Sequence, residues 1–209
     1  TFDGAWTRER YKNEHILNSG ITQIGSITGT SSNRHNPFFA VRHKECTQNK
    51  GDAYGFNLVY SGNHIARAEV STHSILRIQN GINPFEFDWK LGVGEIFDSP
   101  ESVMTFSDEG LNGMSQNMHA FVKENIVRGY WKDKDRPILV NNWEATTFSF
   151  NEKKILEIAK ATKEIGAEMF VLDDGWFGKR NNDKAGLGDW YVNTKKLPSG
   201  IKGLSEKVN

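Results

Sequence analysis

From Thr1 to about Asp108 apolar residues fall in short alternating or continuous runs, separated by clusters of Gly, Asn, Asp and Ser. That pattern predicts strands rather than helices. The clearest runs are Phe38-Phe39-Ala40-Val41, Gly55 to Tyr60, Ala66 to Val70, Ser74 to Ile78 and Phe85 to Trp89. Turn signals at Asn49-Lys50-Gly51-Asp52, Ser61-Gly62-Asn63 and Asn80-Gly81 recur between them, at the spacing of an antiparallel sandwich. From about Gly110 to Arg128 the period changes. Met114, Met118, Phe121, Val122 and Val127 fall near one face of a helix, which Gly129 should stop.

The charged stretch Trp131 to Pro137 marks a boundary between a region 1–130 and a region 131–209. Past it, Ile138-Leu139-Val140 predicts a short, fully apolar strand ending at Asn141-Asn142-Trp143-Glu144. A helix follows from about Asn151 to Ile165, with Asn151 as its cap and Phe150 and Ile155 as a hydrophobic staple. Its apolar stripe is Ile155, Ile158, Ala159, Thr162 and Ile165, and Gly166 ends it. Glu168 to Leu172 then form a second apolar strand, so the segment reads as one strand-helix-strand unit with parallel strands and a right-handed crossover. A long polar loop from Gly178 to Gly200 leads to a helix beginning near Leu204. No internal repeat or low-complexity segment is present.

Composition changes this picture little, but it excludes several function classes. The formal net charge is zero and basic residues are interspersed with acidic ones, which argues against nucleic-acid or membrane-surface partners. The longest apolar runs fall well short of the roughly 20 residues that cross a bilayer. Cys46 is the only cysteine and no Asn-x-Ser/Thr acceptor occurs, so a cytoplasmic location is favoured. The chain begins at Thr1 and stops at Asn209 within an expected helix, and is read as a piece of a larger protein.

Chemistry concentrates where Val171-Leu172 gives way to Asp173-Asp174-Gly175-Trp176-Phe177. Asp-Gly is also an ordinary turn signal. Two successive carboxylates beside large aromatics nevertheless suit a sugar, with oxygens to accept from hydroxyls and flat faces for the CH side of the ring. A hydrogen bond to an ionised carboxylate contributes about 1.5–3 kcal/mol. In barrels of alternating strands and helices such strand ends carry the chemistry. Trp143, at the end of the preceding strand, should border the same face, as a stacking ring or as a core residue. Glu144 is a weak candidate for a catalytic partner. Asp189-Trp190-Tyr191 reads either as a lid or as an anchor for its loop, and Trp6 in isolation as a surface ring packed under arginine stems. His35, His43 and Cys46 lack metal-ligand spacing, and no phosphate loop, dinucleotide motif or nucleophile elbow occurs. No metal or cofactor is expected.

Three ordered motifs carry a resemblance: Arg136 to Thr146, Phe170 to Gly178, and Leu187-Gly188-Asp189-Trp190. Together with Gly4-Ala5-Trp6, Arg8-Glu9-Arg10 and the segment from Ser31-Ser32 to Asn36-Pro37-Phe38, they resemble bacterial α-galactosidases of glycoside hydrolase family 36 over essentially the whole chain. The resemblance implies a fragment with part of an antiparallel β-supersandwich, followed by the first two β/α units of a TIM (β/α)8 barrel. It implies that Asp173 and Asp174 bind galactose hydroxyls, that Trp143 lines the pocket and that Trp6 approaches a neighbouring subunit's site in a tetramer. It also implies retaining hydrolysis of melibiose- or raffinose-type galactosides by later aspartates, so this chain would hold recognition groups without catalytic residues. A non-catalytic carbohydrate-binding or structural fragment stays open, as do galactosyl transfer and action on an N-acetylated galactoside.

Overall fold

A computed structural model describes residues 1–209, which fold as two compact units, Thr1–Arg128 and Gly129–Asn209. The first unit opens with a hairpin, β1 (Phe2–Ala5) and β2 (Arg8–Lys12), whose strands the sequence pattern had not separated from loop. Two three-stranded antiparallel sheets follow. One has the order β3 (Gly20–Gly25), β6 (His64–Val70), β7 (Leu76–Ile82); the other has β4 (Phe38–Arg42), β5 (Ala53–Leu58), β8 (Ser102–Ser107).

Alternation along these strands decides the packing. Phe39 and Val41 of β4 and Phe56 of β5 meet Ala66, Ile24 and Ile78 of the other sheet, so the two sheets pack face to face as a sandwich. Phe39 and Phe56 are stacked with ring centroids 4.9 Å apart. The intervening residues Phe38, Ala40 and Ala53 point the other way, onto Met114, Leu111 and Cys46. Met114 and Leu111 belong to helix α1 (Gly110–Phe121), and Cys46 to the loop between β4 and β5 that packs beside it. Gly55 lets that helix approach, since a Cβ there would lie 2.6 Å from the Met114 sulfur.

No side chain caps α1. Carbonyls of the 47–51 loop take that role: Gly51, Thr47 and Gln48 accept from the N–H groups of Gly110, Leu111 and Asn112. The helix is shorter than its apolar period predicts. Val122–Ile126 form a π turn closed by Val127 N–H to the Val122 carbonyl, so Met114 and Met118 are buried whereas Val122 is exposed.

Phe85 to Trp89 form no strand. The amide of buried Asn83 donates to the carbonyls of Ser26 and His64, its oxygen accepts from Phe85 N–H, and Pro84 turns the chain away. The aromatics freed from pairing gather instead around Phe97, with Trp89 5.0 Å and Phe87 6.1 Å from it.

The second unit contains one parallel pair, β9 (Leu139–Asn141) and β10 (Met169–Val171), with Asn141 opposite Val171. A short helix α2 (Trp143–Thr146) and the longer α3 (Glu152–Glu164) connect them, and α4 (Gly200–Val208) follows the long loop. Asn151 caps α3, its oxygen accepting from Lys154 N–H at 3.0 Å. Phe150 and Ile155 are both buried, in a core completed by Leu197 and Leu204. Glu152 joins α3 to α4: its carboxylate accepts from Ser199 N–H and pairs with Lys207, which pulls its pKa down to about 2.

The predicted apolar stripe of α3 fails at its last residue. Ile165 is 77% exposed, because it sits at the C-cap where the helix turns off at Gly166 (φ +81°), while Leu156 packs inward instead. Ile138, Leu139 and Met169 are exposed along the two-stranded pair, which therefore presents apolar surface. No helix is long and apolar enough to cross a membrane.

Candidate functional site

The parallel register of β9 and β10 sets two strand ends side by side, and asparagines lock them together. Asn142 has no exposed surface: its amide oxygen accepts from Asp173 N–H at 2.7 Å and its NH2 donates to the Thr146 hydroxyl at 2.8 Å. Asn141 bridges outward. Its NH2 donates to Asp173 Oδ2 at 2.5 Å, while its oxygen accepts from Trp143 N–H at 2.7 Å. One short side chain thus links the carboxylate of Asp173 to the start of the Trp143 helix. The indole of Trp143 meets Phe148 edge-to-face, with centroids 5.0 Å apart, after a bend that holds Thr147 at φ +44°.

Asp173 and Asp174 differ in their surroundings. Asp173 Oδ1 accepts from Asp174 N–H, and Asp174 Oδ1 from Gly175 N–H, both at 2.6 Å. Asp174 is also gripped by Arg180, whose Nε lies 2.9 and 3.0 Å from the two oxygens and whose Nη2 lies 2.8 Å from Oδ2. Hydrogen bonding from Arg180 is the main cause that holds the Asp174 carboxyl below the usual range; burial opposes it, and Gly175 N–H and the Arg180 and Lys196 charges add to it. The Arg180 pKa is raised in return, chiefly by the same hydrogen bond.

Of the two carboxylates only Asp174 is paired with a cation, and two cations of the following loop are withdrawn from solvent around it. Arg180 is buried, with 6% of its surface exposed. Lys196 is partly buried and its ammonium donates to the carbonyls of Phe148, Gly175 and Arg180 at 2.8, 2.9 and 3.3 Å. Desolvation lowers its pKa, against the attraction of Asp174. Sequence alone offered one signal for Arg180, its place in a glycine-punctuated loop, but nothing there distinguishes it from Lys179 or Lys184.

The other candidates fall as follows. Trp190 meets Phe177 at a tilt, with centroids 4.6 Å apart, and Gly178 N–H donates to the Tyr191 carbonyl, so Asp189-Trp190-Tyr191 anchors its loop. Glu144 is exposed on α2. Trp6 occupies the tip of the β1–β2 hairpin and is 89% exposed, so no arginine stem covers it. In the same unit, Asp3 and His35 form an antiparallel backbone bridge and Phe2 stacks near Phe38, joining the hairpin to the segment that leads into β4.

The sequence profile of the glycosyl hydrolase family 36 N-terminal domain matches residues 1–92, and the Melibiase profile matches residues 96–209. The chain belongs to glycoside hydrolase family 36. The profiles divide the chain before β8, although β8 hydrogen-bonds along its length to β5 and so folds with the first unit. Among family 36 relatives, α-galactosidase AgaA of Geobacillus stearothermophilus is 50% identical over 99% of this chain and 28% of its own length. α-Galactosidase 1 of Pediococcus pentosaceus is 48% identical over the whole chain and 28% of its own length. The crystal structure of AgaA superposes with a TM-score of 0.95 over 100% of this chain and 29% of that one. Variants of AgaA have been crystallised with raffinose and with stachyose. The chain therefore spans a little over a quarter of the length of these relatives, 28% of each.

Proposed function

We propose that this chain supplies sugar-holding groups to a longer family 36 enzyme, a retaining α-galactosidase that removes terminal α-galactose from melibiose- or raffinose-type sugars. The observation that carries the proposal is the pair Asp173 and Asp174, fixed at the end of a parallel strand and linked through Asn141 to the Trp143 helix. Ionised carboxylates held this way accept hydroxyl protons without moving, and a hydroxyl inverted or missing leaves one of them unpaired. Asp173 and Asp174 hold the sugar rather than transfer protons; Trp143 offers its ring as a wall. The raffinose and stachyose complexes of a 50% identical relative support this assignment of substrate class.

In this reading β9 and β10 begin a (β/α)8 barrel, whose later strands provide the aspartate nucleophile and the aspartate acid/base. Covering by those strands would bury the apolar surface of Ile138, Leu139 and Met169. The exposed Trp6 hairpin fits insertion into a neighbouring subunit of a homo-oligomer, a tetramer in this proposal. A cytoplasmic location belongs to the same proposal, supported by the single, unpaired Cys46.

The test uses the full-length protein. Hydrolysis of p-nitrophenyl α-galactoside should exceed that of the α-glucoside, and Asp173→Ala and Asp174→Ala should each reduce kcat/KM by several kcal/mol of transition-state stabilisation, on the order of 100-fold or more. Near-wild-type turnover in both variants would refute the assignment.

A further inference from the structure

Arg180 returns to Asp174 across a six-residue turn that needs Gly175 at φ +91° and Gly178 at φ +49°. Its guanidinium is fixed from several sides. Besides Asp174, Nη1 donates to the Ala185 carbonyl at 2.8 Å, and Cζ lies 5.5 Å from the centre of the Phe148 ring. On Asp174, Gly175 N–H and Arg180 Nε–H fill Oδ1, while Nη2–H and the shared Nε–H lie on Oδ2. A carboxylate offers about four lone-pair sites. Three N–H donors therefore serve about four sites, which leaves the carboxylate about one open direction, consistent with a side chain that remains 26% exposed.

Lys196 extends the same arrangement. Its three carbonyl partners are Gly175, which follows the carboxylate; Arg180, which grips it; and Phe148, whose ring meets Trp143. One ammonium thereby ties the turn of the carboxylate, the turn of its guanidinium and the segment behind the indole.

We infer that Arg180 and Lys196 are positioning residues that fix the single open lone pair of Asp174 relative to the Trp143 ring, and so set the selectivity of the site among epimeric hydroxyls. The inference rests on the proposed function, in which Asp174 holds the sugar. Arg180 has to be an arginine because a lysine is a point charge that cannot reproduce the two-oxygen grip. Its presence also keeps Asp174 ionised and acceptor-only at acid pH. The charged groups that face this carboxylate are Arg180, Lys196 and the neighbouring Asp173, with Asp183 facing Arg180 in turn.

The experiment compares wild type, Arg180→Lys, Arg180→Met and Lys196→Met in the full-length protein, with p-nitrophenyl α-galactoside and its C4 epimer, the α-glucoside, across pH. Misplacement of a holding group by about an ångström costs on the order of 100-fold. Both Arg180 variants should lose kcat/KM on the galactoside on that scale while the galactoside-to-glucoside ratio falls. In Arg180→Met the acid limb of kcat/KM should move to higher pH, because the carboxyl has lost the partner that kept its pKa low, whereas Arg180→Lys, which retains a cation, should lower the ratio with a smaller movement. In Lys196→Met the ratio should fall with a smaller movement of the acid limb. If Arg180→Met does not fold, Arg180→Lys, which keeps the charge, carries the test. Folded variants with the wild-type ratio and acid limb overturn the inference, even if their thermal stability has dropped, since that pattern marks a purely structural role. An inactive wild type overturns the reading beneath it and the inference with it; an active wild type with indifferent variants overturns the inference alone.

Discussion

Asn142 offers a sharp test of how the strand ends are held. It has no exposed surface, and its amide makes two side-chain bonds, from Asp173 N–H at 2.7 Å and to Thr146 Oγ1 at 2.8 Å. In Asn142→Ala the part-buried Asp173 N–H loses its partner. A stranded donor costs about 1–3 kcal/mol. The Thr146 hydroxyl suffers less, because it also reaches the Asn142 backbone carbonyl at 3.1 Å, which the substitution leaves in place. The local loss should therefore be near 2 kcal/mol, and at about 1.4 kcal/mol per tenfold that is roughly a 30-fold change in an opening equilibrium.

The appropriate assay is local, since global unfolding of a large multidomain protein has no single free energy. Amide hydrogen exchange in the full-length protein should show peptides spanning 169–178 exchanging about 30-fold faster in the variant, with the two antiparallel sheets of the first unit unaffected. Asn142→Asp separates geometry from hydrogen bonding: it retains an acceptor for Asp173 N–H but buries a further carboxylate beside Asp173 and removes the NH2 donor. Its protection should be partly restored at low pH, where the new carboxyl is neutral. Unchanged exchange at 169–178 in Asn142→Ala would refute the claim that this amide fixes the strand end.

Two further perturbations probe the units separately. Ile155→Ala removes a fully buried side chain and should destabilise the second unit by about 2–5 kcal/mol, whereas Ile165→Ala, at 77% exposure, should be nearly silent by hydrogen exchange; equal effects would contradict the corrected helix face. His64 is 1% exposed, and burial, aided by the charge of His35 and opposed by the nearby Asn36 backbone, lowers its pKa below the ordinary 6.5. The folded state then binds fewer protons than the unfolded state, so stability should fall as pH drops through about 6.5 toward the folded value. Exchange protection of β6 measured at pH 7.5 and 5.5 should differ more in wild type than in His64→Leu, and the same difference in both would dismiss His64 as the cause.

What the sequence made legible was governed by short-range pattern. The cap at Asn151, the staple of Phe150 and Ile155, and two apolar runs separated by one helix all act within a few residues, and together they produce the parallel pair. That pair brings Asn141 to Asp173, as expected from strand ends in one unit. The edge cases went the other way. Phe85 to Trp89 has the alternation of a strand, but the Asn83 bonds to two distant carbonyls, those of Ser26 and His64, decide its path and cannot be read locally.

The site shows the same division. Asp173 and Asp174 announce themselves as a pair, yet their difference is set by residues from a loop without periodicity. Arg180 distinguishes the two carboxylates and Lys196 fixes the turn that carries it, although nothing in their spacing marks them among the neighbouring cations. A buried guanidinium is tolerated only with its charge and donors satisfied. Asp174, the Ala185 carbonyl and the Phe148 ring satisfy it together, so the loop is folded around its cation rather than merely connecting β10 to α4. The adjacent aspartates are therefore not equivalent acceptors. Asp174 is a fixed anion with one open direction, while Asp173 is aimed by Asn141 and Asn142, and under the proposed function substitutions behind each should impair sugar discrimination in separable ways.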